Sequence, residues 1–157
     1  MNMIRKANKE DIPGIMALLR QVAMVHHEIR PDLFKSGTTK YDEQQLAALI
    51  DTETSPIFVS LDDDGRVLGH AFCVITESRN HRILQDARTL YIDDICVDEN
   101  VRGQHVGSSL YDHVCSYARS IGCYNITLNV WEGNDAAYSF YKRMGMKIQK
   151  TGMETIL

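Results

Sequence analysis

Residues 95–110 read ICVDENVRGQHVGSSL: an apolar strand-like run, a loop punctuated by Gly103 and Gly107 around Arg102, and then Val106 and Leu110 at helical spacing. The passage from strand to helix decides how the rest of the chain is read. A loop that delivers backbone N–H groups to a helix N-terminus binds phosphate, because the unpaired groups of the first turn and the positive end of the helix dipole both favour an anion. Gly103 and Gly107 let the backbone come close, and Arg102 adds a charge-assisted contact. No Gly-Lys-Ser/Thr follows, so this is not a Walker loop, and without Gly-x-Gly-x-x-Gly it is not a dinucleotide fingerprint. On spacing alone a plain connection explains it equally well. His105 stands where a small residue is expected; it is accommodated if φ stays negative and the ring points away from the ligand.

Working outward, Val106, Leu110, Val114, Tyr117 and Ile121 form one helical stripe, which Gly122 closes. CYNITLNV (123–130) reads as a strand, Asn134 caps a last helix that stops at Gly145, and MKIQKTGM (146–153) reads as a final strand. Upstream, MIRKA (3–7) is a short strand, and Asn8 caps a helix whose stripe runs Ile12, Ile15, Leu19, Val22, His26, Ile29 until Pro31 ends it. Asp42 caps a second helix carrying Leu46, Leu49 and Ile50. IFVSL (57–61), the turn DDDG (62–65) and RVLGHAFCVI (66–75) make a hairpin, and TLYIDDICV (89–97) is the strand that feeds the opening loop. This order predicts a mixed sheet covered by helices, in one unit spanning 1–157.

Composition excludes several classes of function. The formal net charge is -4 with 24% charged and 44% hydrophobic residues, which gives no electrostatic footprint for nucleic acid. No window approaches the roughly 18 apolar residues of a membrane span, and MNMIRKANKEDI has no apolar signal core, so a cytoplasmic protein with no membrane partner is expected. Cys73, Cys96, Cys115 and Cys123 lack ligand spacing and read as free thiols, with no metal site.

The second informative stretch is WEGNDAAYSFYKRMGM (131–146), where Asn134 caps a helix carrying Tyr138, Phe140 and Tyr141 before Gly145. Alone it is a capped helix with core aromatics. An arginine-glycine loop opening a helix, a strand, and then Asn-x-x-Ala-x-x-Phe-Tyr-x-x-x-Gly, in that order, resembles the GNAT N-acetyltransferase superfamily. The resemblance is strong from Leu90 to Met146 and rests on element order alone in the N-terminal half.

The resemblance implies an α/β (α+β) single domain whose mixed, mostly antiparallel sheet has splayed central parallel strands and about four flanking helices. Acetyl-CoA would lie in the splay. Its pantetheine arm would pair with Ile95, Cys96 and Val97, and its pyrophosphate would rest on Arg102, Gly103, Gln104, His105, Val106, Gly107 and Ser108. Asn134 and Tyr138 would flank the arm, and Tyr141 matches the tyrosine that protonates the departing thiolate. A phenol near pKa 10 suits a thiol near 8.5. A backbone N–H near Val97 would serve as an oxyanion hole. The function implied is direct acetyl transfer to a primary amine, of a small molecule or a peptide, and homodimers are common in the family. A non-catalytic coenzyme-A sensor on the same fold and a nucleotide-phosphate binder are the competing readings.

Asp93 is the first candidate for the base that takes the ammonium proton, since it matches an acidic position on the third strand of some members. Asp94 points to the other face in a regular strand, although a bulge breaks that phase. His70 and a water chain are the reserves. Arg30, Asp32, Phe34 and Tyr41 follow the first helix, where the family lines its acceptor site; Asp42 and Glu43, with Asp93, would favour a cationic amine.

Overall fold

A computed structural model describes residues 2–157. Strand β1 (Met3–Lys6) leads through a 3-10 turn, Lys9–Asp11, into α1 (Ile12–Ile29). Asn8 caps that turn and Asp11 returns the bond to the Asn8 N–H, a reciprocal capping box. Helix α2 (Glu43–Ile50) starts at Asp42, whose carboxylate accepts from the Gln45 N–H at 2.7 Å. Strands β2 (Ile57–Leu61), β3 (Val67–Ser78) and β4 (Ala87–Val97) form a meander. Helix α3 (Val106–Ser120), β5 (Asn125–Thr127) and α4 (Asp135–Arg143) complete the order.

The sheet order is β1-β2-β3-β4-β5, with every pairing antiparallel except β4 with β5. Helices cover both faces because the central strands β2, β3 and β4 carry apolar residues on both. Ile15 and Leu19 of α1 and Leu46 of α2 pack on Val59 and Phe72. On the other face Val106, Leu110 and Val114 of α3 pack on Ala71, Leu90 and Ile92. Each such side chain contributes about 1.5–3 kcal/mol on burial. Close approach of α3 depends on Gly69, where a Cβ would lie 3.0 Å from the Cys96 carbonyl and from Leu110 and Val106.

Two expectations need correction. CYNITLNV forms a strand only over Asn125–Thr127, and MKIQKTGM forms none: residues 147–157 run unpaired and exposed. The period-2 pattern of the tail has no ladder to join, because β5 is too short to template it. The Arg30 guanidinium holds the tail instead, 2.5 Å from the Glu154 carboxylate. Among the described residues no helix is long and apolar enough to cross a membrane.

Candidate active site

Strands β4 and β5 pair only from Thr89 to Tyr91, opposite Asn125 to Thr127; β4 then runs on to Val97 while the chain after Thr127 turns away. The strands part there, and a cleft of about 1440 Å³ opens. Its walls come from the end of α1, the connection after it, Asp93 and Asp94 of β4, Tyr138 and Tyr141 of α4, and the tail.

The register against β3 slips at the same place. Asp94 lies opposite Phe72 but Ile92 opposite Cys73, so Asp93 is the extra residue of a bulge. The regular alternation that would have sent the two aspartates to opposite faces is broken, and both line the cleft. Their partners differ. Asp93 sits 2.6 Å from the Lys40 ammonium. Asp94 accepts from Nε2 of His70 at 2.7 Å, and His70 is completely buried. An ionised carboxylate only accepts, so Nε2 carries a proton in this contact. The buried Nδ1 has no partner.

Beyond the bulge, the Asp98 N–H donates to the Leu68 carbonyl across the sheet. Alternation along the uninterrupted register therefore turns the N–H groups of Ile95 and Val97 to the open edge of β4. Cys96 faces the other way: its thiol is buried against α1 and donates to the Leu18 carbonyl at 3.5 Å. Burial pushes its pKa up to about 12, so it is a packed thiol and no nucleophile.

The loop Arg102–His105 is exposed and leads into α3. The expectation for His105 is overturned: its φ is +63°, in the left-handed region. Gly103 is also positive, at +82°, and Gln104 between them is not. Alternating signs of φ along a short stretch are the backbone pattern that can turn successive N–H groups to one side. The first intrahelical bond is from Ser109 to the His105 carbonyl, so the N–H groups of Val106, Gly107 and Ser108 have no partner one turn back. His105 pays for this loop in strain of about 1–2 kcal/mol. Substituting His105→Gly removes it and returns roughly 0.5–1 kcal/mol of unfolded-chain entropy. A net gain raises Tm by about 1–4 °C by calorimetry; a fall would show that the imidazole makes a stabilising contact.

The loop adjoins the tyrosines through packing. A Cβ on Gly107 would meet Phe140 at 3.4 Å and Val97 at 3.5 Å, and the Phe140 and Tyr141 rings lie 5.1 Å apart. Asn134 caps α4 through the Ala137 N–H at 3.3 Å. Tyr138 is half-exposed on the cleft, with Lys142 over its ring. The Tyr141 phenol is pushed up, first by burial and then by the charge of Asp94, which places phenol and carboxylate in one electrostatic neighbourhood.

At the opposite end Phe34 lies edge-on to Trp131 at 5.5 Å and beside His26 at 5.0 Å, with Arg30 over the Trp131 ring. Asp32 pairs with Arg30 at 2.8 Å, and Tyr41 stacks on Phe72. Asp42 and Glu43 are not part of the cleft wall; Asp42 is spent on capping α2. Lys40, held at Asp93, is a cleft residue that sequence reasoning missed. A loop lysine carries no local signal, and its partner is distant in sequence.

Residues 22–146 match the acetyltransferase (GNAT) family. The chain belongs to that family and is an acyltransferase of the GNAT type. It is 26% identical over 145 residues to a peptidyl-lysine N-acetyltransferase, YjaB, of Salmonella typhimurium, covering 92% of this chain and 83% of that protein. A thialysine N-epsilon-acetyltransferase of Bos taurus is 27% identical over 153 residues, covering 91% and 82%. The crystal structure of a mutant of the BH1408 protein from Bacillus halodurans matches with a TM-score of 0.94 at 30% identity, covering 99% of each chain.

Proposed function

We propose that the protein transfers the acetyl group of acetyl-CoA directly to a primary amine. The observation that carries this reading is the cleft where β4 and β5 part, with Asp94 and Tyr141 both on its wall. The open N–H groups of Ile95 and Val97 suit the amide-rich pantetheine arm, and the loop and helix start at 103–108 suit its pyrophosphate. In the ternary complex the neutral amine attacks the thioester carbonyl, an outward N–H of β4 stabilises the oxyanion, and the C–S bond breaks as Tyr141 protonates the sulfur.

Asp94 takes the base role in this reading. Asp93 is already occupied by the Lys40 ammonium. Among the described residues Asp94 has no lysine or arginine within ion-pair distance, and His70 engages only one of its oxygens. The rings of Tyr41, Tyr91 and Trp131 and the carboxylates of Asp93 and Asp94, on a wall that also carries basic residues, suit an amine acceptor, in line with relatives named for lysine and thialysine. An acceptor screen by free-thiol release, covering lysine analogues, polyamines, aminoglycosides and lysine peptides, tests the activity. Thiol release with none of them would favour a non-catalytic coenzyme-A sensor. Calorimetry with coenzyme A against ATP tests the loop, and tighter ATP binding overturns the assignment. His105→Gly should change the coenzyme-A dissociation constant by no more than a few-fold, because the contact is made by backbone N–H groups.

A further inference from the structure

Lys40 occupies the place where a cationic acceptor would be held. Its ammonium lies 2.6 Å from the Asp93 carboxylate and 5.6 Å from the centre of the Tyr41 ring. Neither contact is incidental to a floppy loop. Tyr41, next in sequence, stacks on the buried Phe72 at 5.8 Å with the rings nearly parallel, and its carbonyl accepts from the Thr39 hydroxyl at 2.7 Å. The backbone on either side of Lys40 is thus anchored, and the side chain reaches from that anchor to the bulge. The bulge is the point where β4 leaves β5, two residues from the first outward N–H of the open edge. Lysine, Asp93, Asp94 and Tyr141 all border the same cleft.

We propose that Lys40 is an acceptor for the protein's own active site, so that the chain acetylates itself on the Lys40 Nζ when no external amine is bound. This rests on the acetyl-transfer reading above. The ammonium loses one proton to Asp94 or to water at that carboxylate, and Nζ attacks the thioester carbonyl. A C–N bond forms, the second Nζ proton is lost, and the C–S bond breaks. Coenzyme A leaves as the thiol with the Tyr141 proton; one of the two lost Nζ protons restores the phenol and the other passes to solution. Net, one thioester and one ammonium become one amide, one thiol and one proton in solution. The amide cannot pair with Asp93, so modification releases the loop's ionic tether and leaves the acetyl group in the acceptor end of the cleft.

The test incubates the full chain with acetyl-CoA alone and quantifies acetylation of each lysine by peptide mass spectrometry. Lys40 should react at least about tenfold faster than Lys35 on the same exposed connection, equivalent to about 1.4 kcal/mol. Its rate per molecule should not change with protein concentration, and Tyr141→Phe should abolish the preference. Asp93→Asn, with the fold checked by circular dichroism, should bring Lys40 down to the rate of Lys35. If external amines release thiol normally while Lys40 reacts no faster than Lys35, or only in proportion to protein concentration, the inference is overturned and the transferase reading stands. If neither Lys40 nor any amine reacts, both fall.

Discussion

Tyr141→Phe is expected to lower kcat by about 10²–10³-fold, the range for loss of a positioned general acid, while coenzyme-A affinity stays within a few-fold. The substitution removes one oxygen and keeps the ring contacts with Phe140 and Tyr111. Burial and the Asp94 charge both raise the phenol's pKa, so it remains protonated across the working range. The deficit should accordingly be constant between about pH 7 and 9, with no Tyr141 limb below about pH 10. Steady-state rates with a good acceptor, paired with calorimetry for coenzyme A, measure the two quantities separately. A loss confined to KM would mean that Tyr141 packs the site without donating a proton.

Asp94→Asn should cost about 10²-fold in kcat, roughly 2.7 kcal/mol of barrier. The amide oxygen can still accept the Nε2–H of the buried His70, so the β3–β4 contact survives and the carboxylate alone is lost. The deficit should shrink as pH approaches the amine's own pKa, about 10 for a lysine-like acceptor, because free amine then needs no base. Asp93→Asn should cost less, since that carboxylate is already matched by Lys40. A larger loss for Asp93→Asn than for Asp94→Asn would reverse the assignment.

Much of the architecture was legible in local pattern. The stripes of α1 and α3, the capping residues Asp42 and Asn134, and the Asp62–Gly65 turn each depend on neighbours within a few residues and formed as read, except that Asn8 caps the 3-10 turn ahead of α1 and Ile121 falls just past the end of α3. The alternating tail misled because alternation specifies a strand only if a partner edge of matching length exists, and β5 offers three residues.

The candidate site divides along the same line. By itself, the sequence determined the helix-opening loop after β4, the tyrosine on the last helix, and the two carboxylates on the strand that leads into the loop, since each is a matter of residue type at fixed local spacing. Only the tertiary structure decided what those groups can do. A one-residue bulge against β3 turned Asp93 and Asp94 into the same cleft. Pairing across 53 residues matched Lys40 to Asp93, and pairing across 24 matched His70 to Asp94. The demand of the loop for alternating handedness held His105 at positive φ. Register, charge pairing and backbone handedness are set by what the rest of the fold brings alongside, and no local spacing encodes them.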